Sequence, residues 1–367
     1  MKEPLPQNDQ TMTSRSFERV TLKDVARLAE CSVTTASLVL AGKAKERRIS
    51  EEVVERVQTV ARELDYAPNL LVRSLRKGAT QVIALYNGFG LREEKDLFMD
   101  HLASLMVRAA GAAGYDLLTH CDYSRPVEET YRLLNGGRSD GLIYFGPLAN
   151  PLVPLLRRSR LPVVLLNRVD DEGVLSSVAG DENEGMRQIA EALVQKGHRR
   201  IAAVSSNPGH SKATERVAAL QRFLAEQGAS LPSERILPHY IGGPFDAAGI
   251  LNNLLGQPEP PTALFCWNDE TGYQMLEACQ ALDISVPERL SVVGYDGLHW
   301  PSTSPHLLVS INIHLKAQTE TAVRLLDNII QGQVTSPIQE ISPVTLTEGT
   351  TLAPPLALPH IPREKRI

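Results

Sequence analysis

The residues to weigh first are those whose type and spacing can do chemistry. The four cysteines, Cys31, Cys121, Cys266 and Cys279, form no Cys-x-x-Cys, and no histidine pair lies near any of them. That spacing gives no zinc site and no disulfide framework, and it fits a reducing compartment. His198 and His210 lack an obvious serine or cysteine partner to activate. Neither a Gly-x-Gly-x-x-Gly nor a Gly-x-x-x-x-Gly-Lys-Ser/Thr phosphate loop is present. No cofactor, metal or enzymatic activity is therefore expected, and His198, after Gly197, reads as a charged helix C-terminal residue. What the chain does carry is clustered hydroxyls, Thr21 and then Ser32, Thr34, Thr35 and Ser37, at the starts of short apolar-periodic segments. Hydroxyls there cap helices or hold phosphates.

Charge points the same way. Residues 1–79 carry 14 Lys/Arg against 11 Asp/Glu, and the rest of the chain 24 against 32. A mildly basic head on an acidic body suits a polyanion at the head.

The elements that must position these residues fall into two styles. Residues 20–66 predict three short helices. Thr21 and Asp24 form a capping box before Leu22, Val25, Ala26 and Ala29. After a tight turn at Glu30-Cys31, Ser32 caps a second helix with Val33, Ala36 and Val39-Leu40 inward. Ser50 caps a third, with Glu51 and Glu52 in its first turn and Val53, Val54, Val57, Val60, Ala61 and Leu64 inward. Pro68 is expected to end it. Two helices about a tight turn, braced by a third, make a helix-turn-helix unit. From residue 81 apolar runs at 82–86, 115–119, 141–145, 162–166, 200–205, 262–267 and 290–294 alternate with helical patterns. Those lie near 97–113, 126–135, 151–159, 184–197, 213–228, 246–256, 270–283 and 315–331. The alternation predicts an α/β body of parallel sheets, and its size predicts two such sheets facing a cleft. Ligands in such sheets bind beyond the C-terminal strand ends.

The segment Val20-Thr-Leu-Lys-Asp-Val-Ala-Arg-Leu-Ala-Glu-Cys-Ser-Val-Thr-Thr-Ala-Ser-Leu-Val-Leu resembles the headpiece of the LacI/GalR (lactose and galactose repressor) family. Ile49-Ser-Glu-Glu-Val and Leu64-Asp-Tyr-Ala-Pro-Asn continue the likeness. So do Gly197-His-Arg-Arg-Ile-Ala, Trp267-Asn-Asp and Val292-Val-Gly-Tyr-Asp in the body. The resemblance covers roughly residues 20–355. It implies a small all-α helix-turn-helix headpiece and a two-lobed body like the periplasmic binding proteins. The expected boundaries are a disordered tail over 1–19, the headpiece over 20–66, a hinge helix over 67–79, the body over 80–355 and a tail over 356–367. Within the body, one subdomain takes about 80–180 and 311–340, and the other about 181–310 and 341–355.

What the resemblance implies about sites follows residue by residue. Val33, Thr34 and Leu38 stand where the family varies with operator sequence, Thr34 able to hydrogen-bond and the other two to touch a thymine methyl. Thr21, Ser32, Thr35 and Ser37 are assigned to phosphates or caps. In the hinge, Asn69 caps a short helix over 70–77, and Arg73, Arg76 and Lys77 neutralise phosphates. Leu75 matches the leucine that wedges into the minor groove. Asp181, Arg216, Asn268 and Asp296 match the family's ligand contacts and offer the donors and acceptors that sugar hydroxyls need. Phe98, Trp267 and Trp300 are aromatic candidates for stacking, and Arg92, in the loop 87–96, would suit an acidic effector. The partners implied are double-stranded operator DNA, a small-molecule effector of carbohydrate type and a second copy of the chain, with no membrane. The start Met-Lys-Glu-Pro has no apolar h-region, so the expected compartment is the cytoplasm. The competing expectation is a sugar-binding protein of the periplasmic type that does not bind DNA.

Overall fold

The structure, a computed structural model, describes residues 20–69, 74–75, 77–89, 96–120, 124–206, 211–239 and 245–356. The chain divides into two compact units after Gly78.

In the first unit, two of the three helices open on side-chain caps. Helix α1 (Leu22–Leu28) opens on a reciprocal box: the Thr21 hydroxyl accepts from the Asp24 amide, and the Asp24 carboxylate accepts from the Thr21 amide at 2.9 Å. Helix α2 (Val33–Leu40) opens on Ser32, whose hydroxyl accepts from the Thr35 amide at 3.0 Å. Between them Glu30 takes a positive φ of 49°, which makes the turn tight. Ser50 stands at the start of α3 (Glu51–Glu63), but its side chain makes no cap bond there, a correction to the expected cap. Nor does Pro68 end that helix. The chain leaves it at Asp65, in the left-handed region at φ 49°, with the Tyr66 amide returning to the Ala61 carbonyl at 2.8 Å. Val25, Ala26, Ala29, Ala36, Val39, Val57 and Ala61 make the core. Val33 is not among them: it is 43% exposed, so it belongs to the outer face of α2 rather than the expected inner one.

In the second unit, six parallel strands form one sheet in the order β11-β5-β4-β3-β1-β2. They are β1 (Val82–Asn87), β2 (Asp116–Thr119), β3 (Gly141–Phe145), β4 (Val163–Leu166), β5 (Ser176–Gly180) and β11 (Gln339–Ser342). Four more make a second parallel sheet, β7-β6-β8-β9. They are β6 (Ile201–Ser205), β7 (Ile236–Pro238), β8 (Ala263–Cys266) and β9 (Ser291–Val293). The pair β10 (Ile311–Asn312) and β12 (Thr345–Leu346) is antiparallel. Strands β3, β4 and β8 are buried at every residue, as sheets covered on both faces require.

The helices that cover the first sheet are α4 (Leu97–Ala112), α5 (Val127–Leu134), α6 (Val153–Arg157) and α11 (Leu315–Ile330). Those of the second lobe are α7 (Glu182–Gln195), α8 (Ser211–Glu226), α9 (Ala247–Leu255) and α10 (Asp269–Ala281). Apolar runs did not signal β5, β7, β10, β11 or β12. Ser-Ser-Val-Ala-Gly of β5 is buried throughout yet has no large side chain, and β11 is a half-exposed edge strand. His198 also departs from expectation. It is fully buried, its ring nitrogens bonded to the Thr262 hydroxyl and the Ala353 carbonyl at 2.9 Å each. Burial lowers its pKa, so it ties β8's approach to the C-terminal segment as a neutral ring.

Candidate nucleic-acid interface and effector cleft

At the start of α2 the caps and the packing divide the hydroxyls by task. Ser32 and Thr34 are exposed, and Val33 projects beside them. Thr35 and Ser37 are half-buried; the Thr35 hydroxyl lies 2.8 Å from that of Ser32. Leu38 is half-buried as well. Thr21 is exposed and its hydroxyl donates to Asp24 at 2.7 Å, a bond that holds the Asp24 carboxyl below its ordinary range. The outer face of α2 thus begins with one apolar and two hydroxyl side chains, the mixture that meets base edges and phosphates from a helix N-terminus. In the hinge, Asn69 and Lys77 are exposed, Leu75 is 86% exposed, and the Gly78 amide bonds to the Ser74 carbonyl at 2.8 Å. Arg73 and Arg76 lie outside the described residues, as do Arg92 and His210 in the body.

In the body, the structure separates the four expected ligand contacts into two pairs. Asp181 and Asn268 serve as caps: Asp181 accepts from the Glu184 amide at 2.9 Å at the start of α7, and Asn268 from the Thr271 amide at 3.0 Å at the start of α10. Arg216 and Asp296 instead meet. Arg216, on α8, is 3% exposed. Its Nε donates to Glu182 at 2.8 Å, its Nη1 to the Trp267 carbonyl at 2.7 Å, and its Nη2 lies 3.4 Å from Asp296. The guanidinium also covers the Tyr295 ring at 3.7 Å from its centre, a stacked cation–π contact. Gly185 is what lets that ring approach α7, since a Cβ there would come within 2.6 Å of the Tyr295 hydroxyl.

Two members of this cluster carry no signal in the motifs. Glu182 follows Asp181 in the first turn of α7, and Lys212 sits one helical turn before Arg216 on α8, where residues four apart share a face. Lys212 donates to Glu182 and, at 3.3 Å, to Asn167, which follows β4. Arg168, next along, donates to both oxygens of Glu215 on α8 at 3.0 Å. Both contacts join the lobes, because β4 belongs to the first sheet and α8 covers the second.

Asp296 occupies a strained backbone position, φ 115°, just past β9. Gly297 follows with φ 71°, its Cα so near Asn312 that a Cβ would lie 2.4 Å from the Asn312 Cα. Burial pushes the Asp296 carboxyl up, to about 7, against the pull of Arg216. Asp269 is buried beside it and raised as well, by burial and then by Asp296; its carboxylate accepts from the Ser310 hydroxyl and the Leu298 amide. Phe98 stacks on Phe145, 5.7 Å between ring centres, and also packs against the second-lobe core. Trp267 is buried and Trp300 is part of that core. Among the described residues no group of three His, Cys, Asp or Glu is placed to hold a metal ion.

A small helix-turn-helix unit that presents a mixed polar and apolar helix start, joined to a two-sheet body with charged groups between its lobes, defines a DNA-binding regulator with a small-molecule site. The comparisons agree. Residues 21–69 match the bacterial regulatory proteins, lacI family, and residues 190–352 match the periplasmic binding protein-like domain. The HTH-type transcriptional repressor PurR of Aliivibrio fischeri (strain MJ11) is 29% identical over 343 residues, 90% of this chain and 98% of its own. The probable HTH-type transcriptional repressor ExuR of Bacillus subtilis (strain 168) is 27% identical over 291 residues, 76% of this chain and 82% of its own. In fold, the chain is similar to the Lac repressor dimer bound to operator and the anti-inducer ONPF. There the TM-score is 0.78 at 22% identity, over 92% of this chain and 100% of that one. The chain thus carries a lacI-family DNA-binding domain and a periplasmic-binding-protein-like domain, and is a DNA-binding transcription regulator with a body for a small-molecule effector. The match over the headpiece sets aside the expectation of a free-standing binding protein.

Proposed function

We propose that this regulator is a cytoplasmic repressor that binds a pseudo-palindromic operator as a homodimer and performs no catalysis of its own. The headpiece over 20–66 reads the half-site, the segment over 67–79 acts as hinge, and the body over 80–355 binds the effector. Val33 and Thr34 contact bases, with Leu38 behind them. Thr21, Ser32, Thr35, Ser37, Asn69, Arg73 and Arg76 hold phosphates or the elements that do, and Leu75 is the minor-groove wedge. In the cleft, Arg216 and Asp296 contact a polar, hydroxyl-bearing molecule directly. Asp181 and Asn268 shape its edges, and Phe98 and Trp267 supply the apolar walls.

The observation that carries this reading is the pair of polar links between the lobes, Lys212 to Asn167 and Arg168 to Glu215. A ligand that engages Arg216 and its neighbours changes those links and with them the angle between lobes. A coupling of about 5- to 150-fold in operator affinity is typical of such linkage. The repressor names of the sequence relatives support the sign of the action on transcription.

The test is fluorescence anisotropy of the full chain on DNA from upstream of its own gene, against scrambled DNA at one stated salt concentration. Sequence-selective binding that one class of small molecule shifts is the expected result. Equal binding to both DNAs, with no response to any compound, would overturn the reading.

A further inference from the structure

The charged cluster between the lobes bears on the chemical class of the effector. Lys212 and Arg216 stand one turn apart on α8, 6% and 3% exposed. Two like charges at that spacing repel, and burying them unmatched is strongly unfavourable. One carboxylate answers both. Glu182 accepts from Lys212 Nζ and from Arg216 at Nε (2.8 Å) and Nη2 (3.3 Å). Burial works against its ionisation, yet Arg216 and Lys212 hold the Glu182 carboxyl far below the ordinary range.

The other nearby anion matches the cations less fully. Asp296 is 3.4 Å from Arg216 Nη2, and burial keeps it part-protonated near neutrality. Burial, and then the charges of Arg216 and Arg168, press the Lys212 ammonium below its ordinary pKa against the pull of Glu182; Arg168, from the first lobe, has Glu215 as its own partner. Two buried cations therefore face one full carboxylate and a fraction of another. Glu182 is also the trio's most accessible member, its side chain 22% exposed, and it stands in the first turn of α7.

We propose that Glu182 is a built-in stand-in for the effector's carboxylate: the effector is a small acid, such as a sugar acid, whose carboxylate takes the place of Glu182 on Lys212 and Arg216. This rests on the reading of the inter-lobe cleft as the effector site. A neutral polyol cannot make the exchange, because it would leave both cations buried against a fraction of one anion. An acid can, and because Lys212 also holds Asn167 of the other lobe, the exchange is felt by both lobes.

The experiment has two arms on the full chain. In the first, Glu182→Ala is melted with acetate, which is chemically the missing group, and with acetamide. Acetate is expected to raise the melting temperature of the variant in a saturable way, as ligand linkage requires, and to leave the parent unmoved. Acetamide is expected to do nothing. If the variant does not fold in plain buffer, recovery of folded protein with acetate and not with acetamide is the same result. Equal effects of the two compounds, or none, overturn the proposal.

In the second arm, glucuronate, galacturonate and gluconate are compared with glucose and galactose on the operator complex. Acids are expected to shift the parent, and to bind Glu182→Gln at least about tenfold more tightly because the competing charge is gone. Neutral sugars that act where the acids do not would keep the effector site and overturn the acidic class. Acetate rescue with no compound acting on the operator complex would keep the stand-in and overturn the effector-site reading instead.

Discussion

At the scale of single residues, the body's chemistry turns on how burial and charge oppose each other at one carboxyl. Asp296 is buried among charged neighbours with Arg216 in reach, and burial wins, so its carboxyl titrates near 7 rather than near 3.8. Between those values the native chain keeps a proton that the unfolded chain has released. The native state then binds more protons, so this residue's contribution to stability falls as pH rises from about 4 to about 7. Asn at this position has no proton to lose. Urea unfolding across that range is therefore expected to show Asp296→Asn gaining on the parent as pH rises. A difference that stays constant with pH would mean that Asp296 is ionised throughout. The same competition separates Glu182, where two cations outweigh burial, from Asp269, where burial prevails.

At the scale of elements, the starts of helices do most of the positioning. Ser32 fixes where α2 begins and hence where Val33 and Thr34 point. Ser32→Ala is expected to cost about 1 kcal/mol of headpiece stability through the lost cap, with a parallel loss of operator affinity, and Ser32→Asn to restore the stability. Thermal unfolding beside anisotropy checks this; an unchanged melting curve for the alanine variant would show that the turn at Glu30 suffices to start the helix. In the hinge, Leu75 is an apolar side chain almost wholly in solvent, an unfavourable placement unless a partner covers it. Leu75→Ala is expected to weaken operator binding much more than binding to scrambled DNA, because a wedge acts only in a fixed, kinked complex. Equal losses on both DNAs would remove the wedge assignment.

At the scale of the whole molecule, the two units have separate cores. Among the described residues, the headpiece cluster has no member from beyond residue 66, and the body's clusters draw nothing from the headpiece. Residues 79–367 expressed alone are expected to melt where the body melts in the full chain, to keep the response to effector and to lose operator binding. Aggregation or a lowered melting point would show that the body depends on the headpiece for stability. Within the body the lobes exchange chain at the ends of β5, β10 and β11, so a change of angle between them passes through few backbone connections and through the Lys212–Asn167 and Arg168–Glu215 contacts.

The amino-acid order alone determined the elements whose signals are local. Capping hydroxyls mark the starts of α1 and α2, and buried parallel strands such as β3, β4 and β8 read as unbroken apolar runs, because a strand covered on both faces has no polar side to alternate. Arg216 and Asp296 were legible as candidate contacts through the family motif. Tertiary structure decided the rest. Strand β5 has no apolar run because Gly180 must fit against Gln318 and Val344, so its burial comes from neighbours distant in sequence. Ser50 occupies a cap position without capping, and Val33 faces out, because the joint packing of α2 on α1 and α3 turns Ala36 and Val39 inward. Glu182 and Lys212 were invisible as site residues: an acidic first turn and a lysine one turn before an arginine are ordinary on solvent-exposed helices. Only the packing of α7 on α8 buries them together, and only burial turns an ordinary ion pair into a charge balance that a ligand can shift.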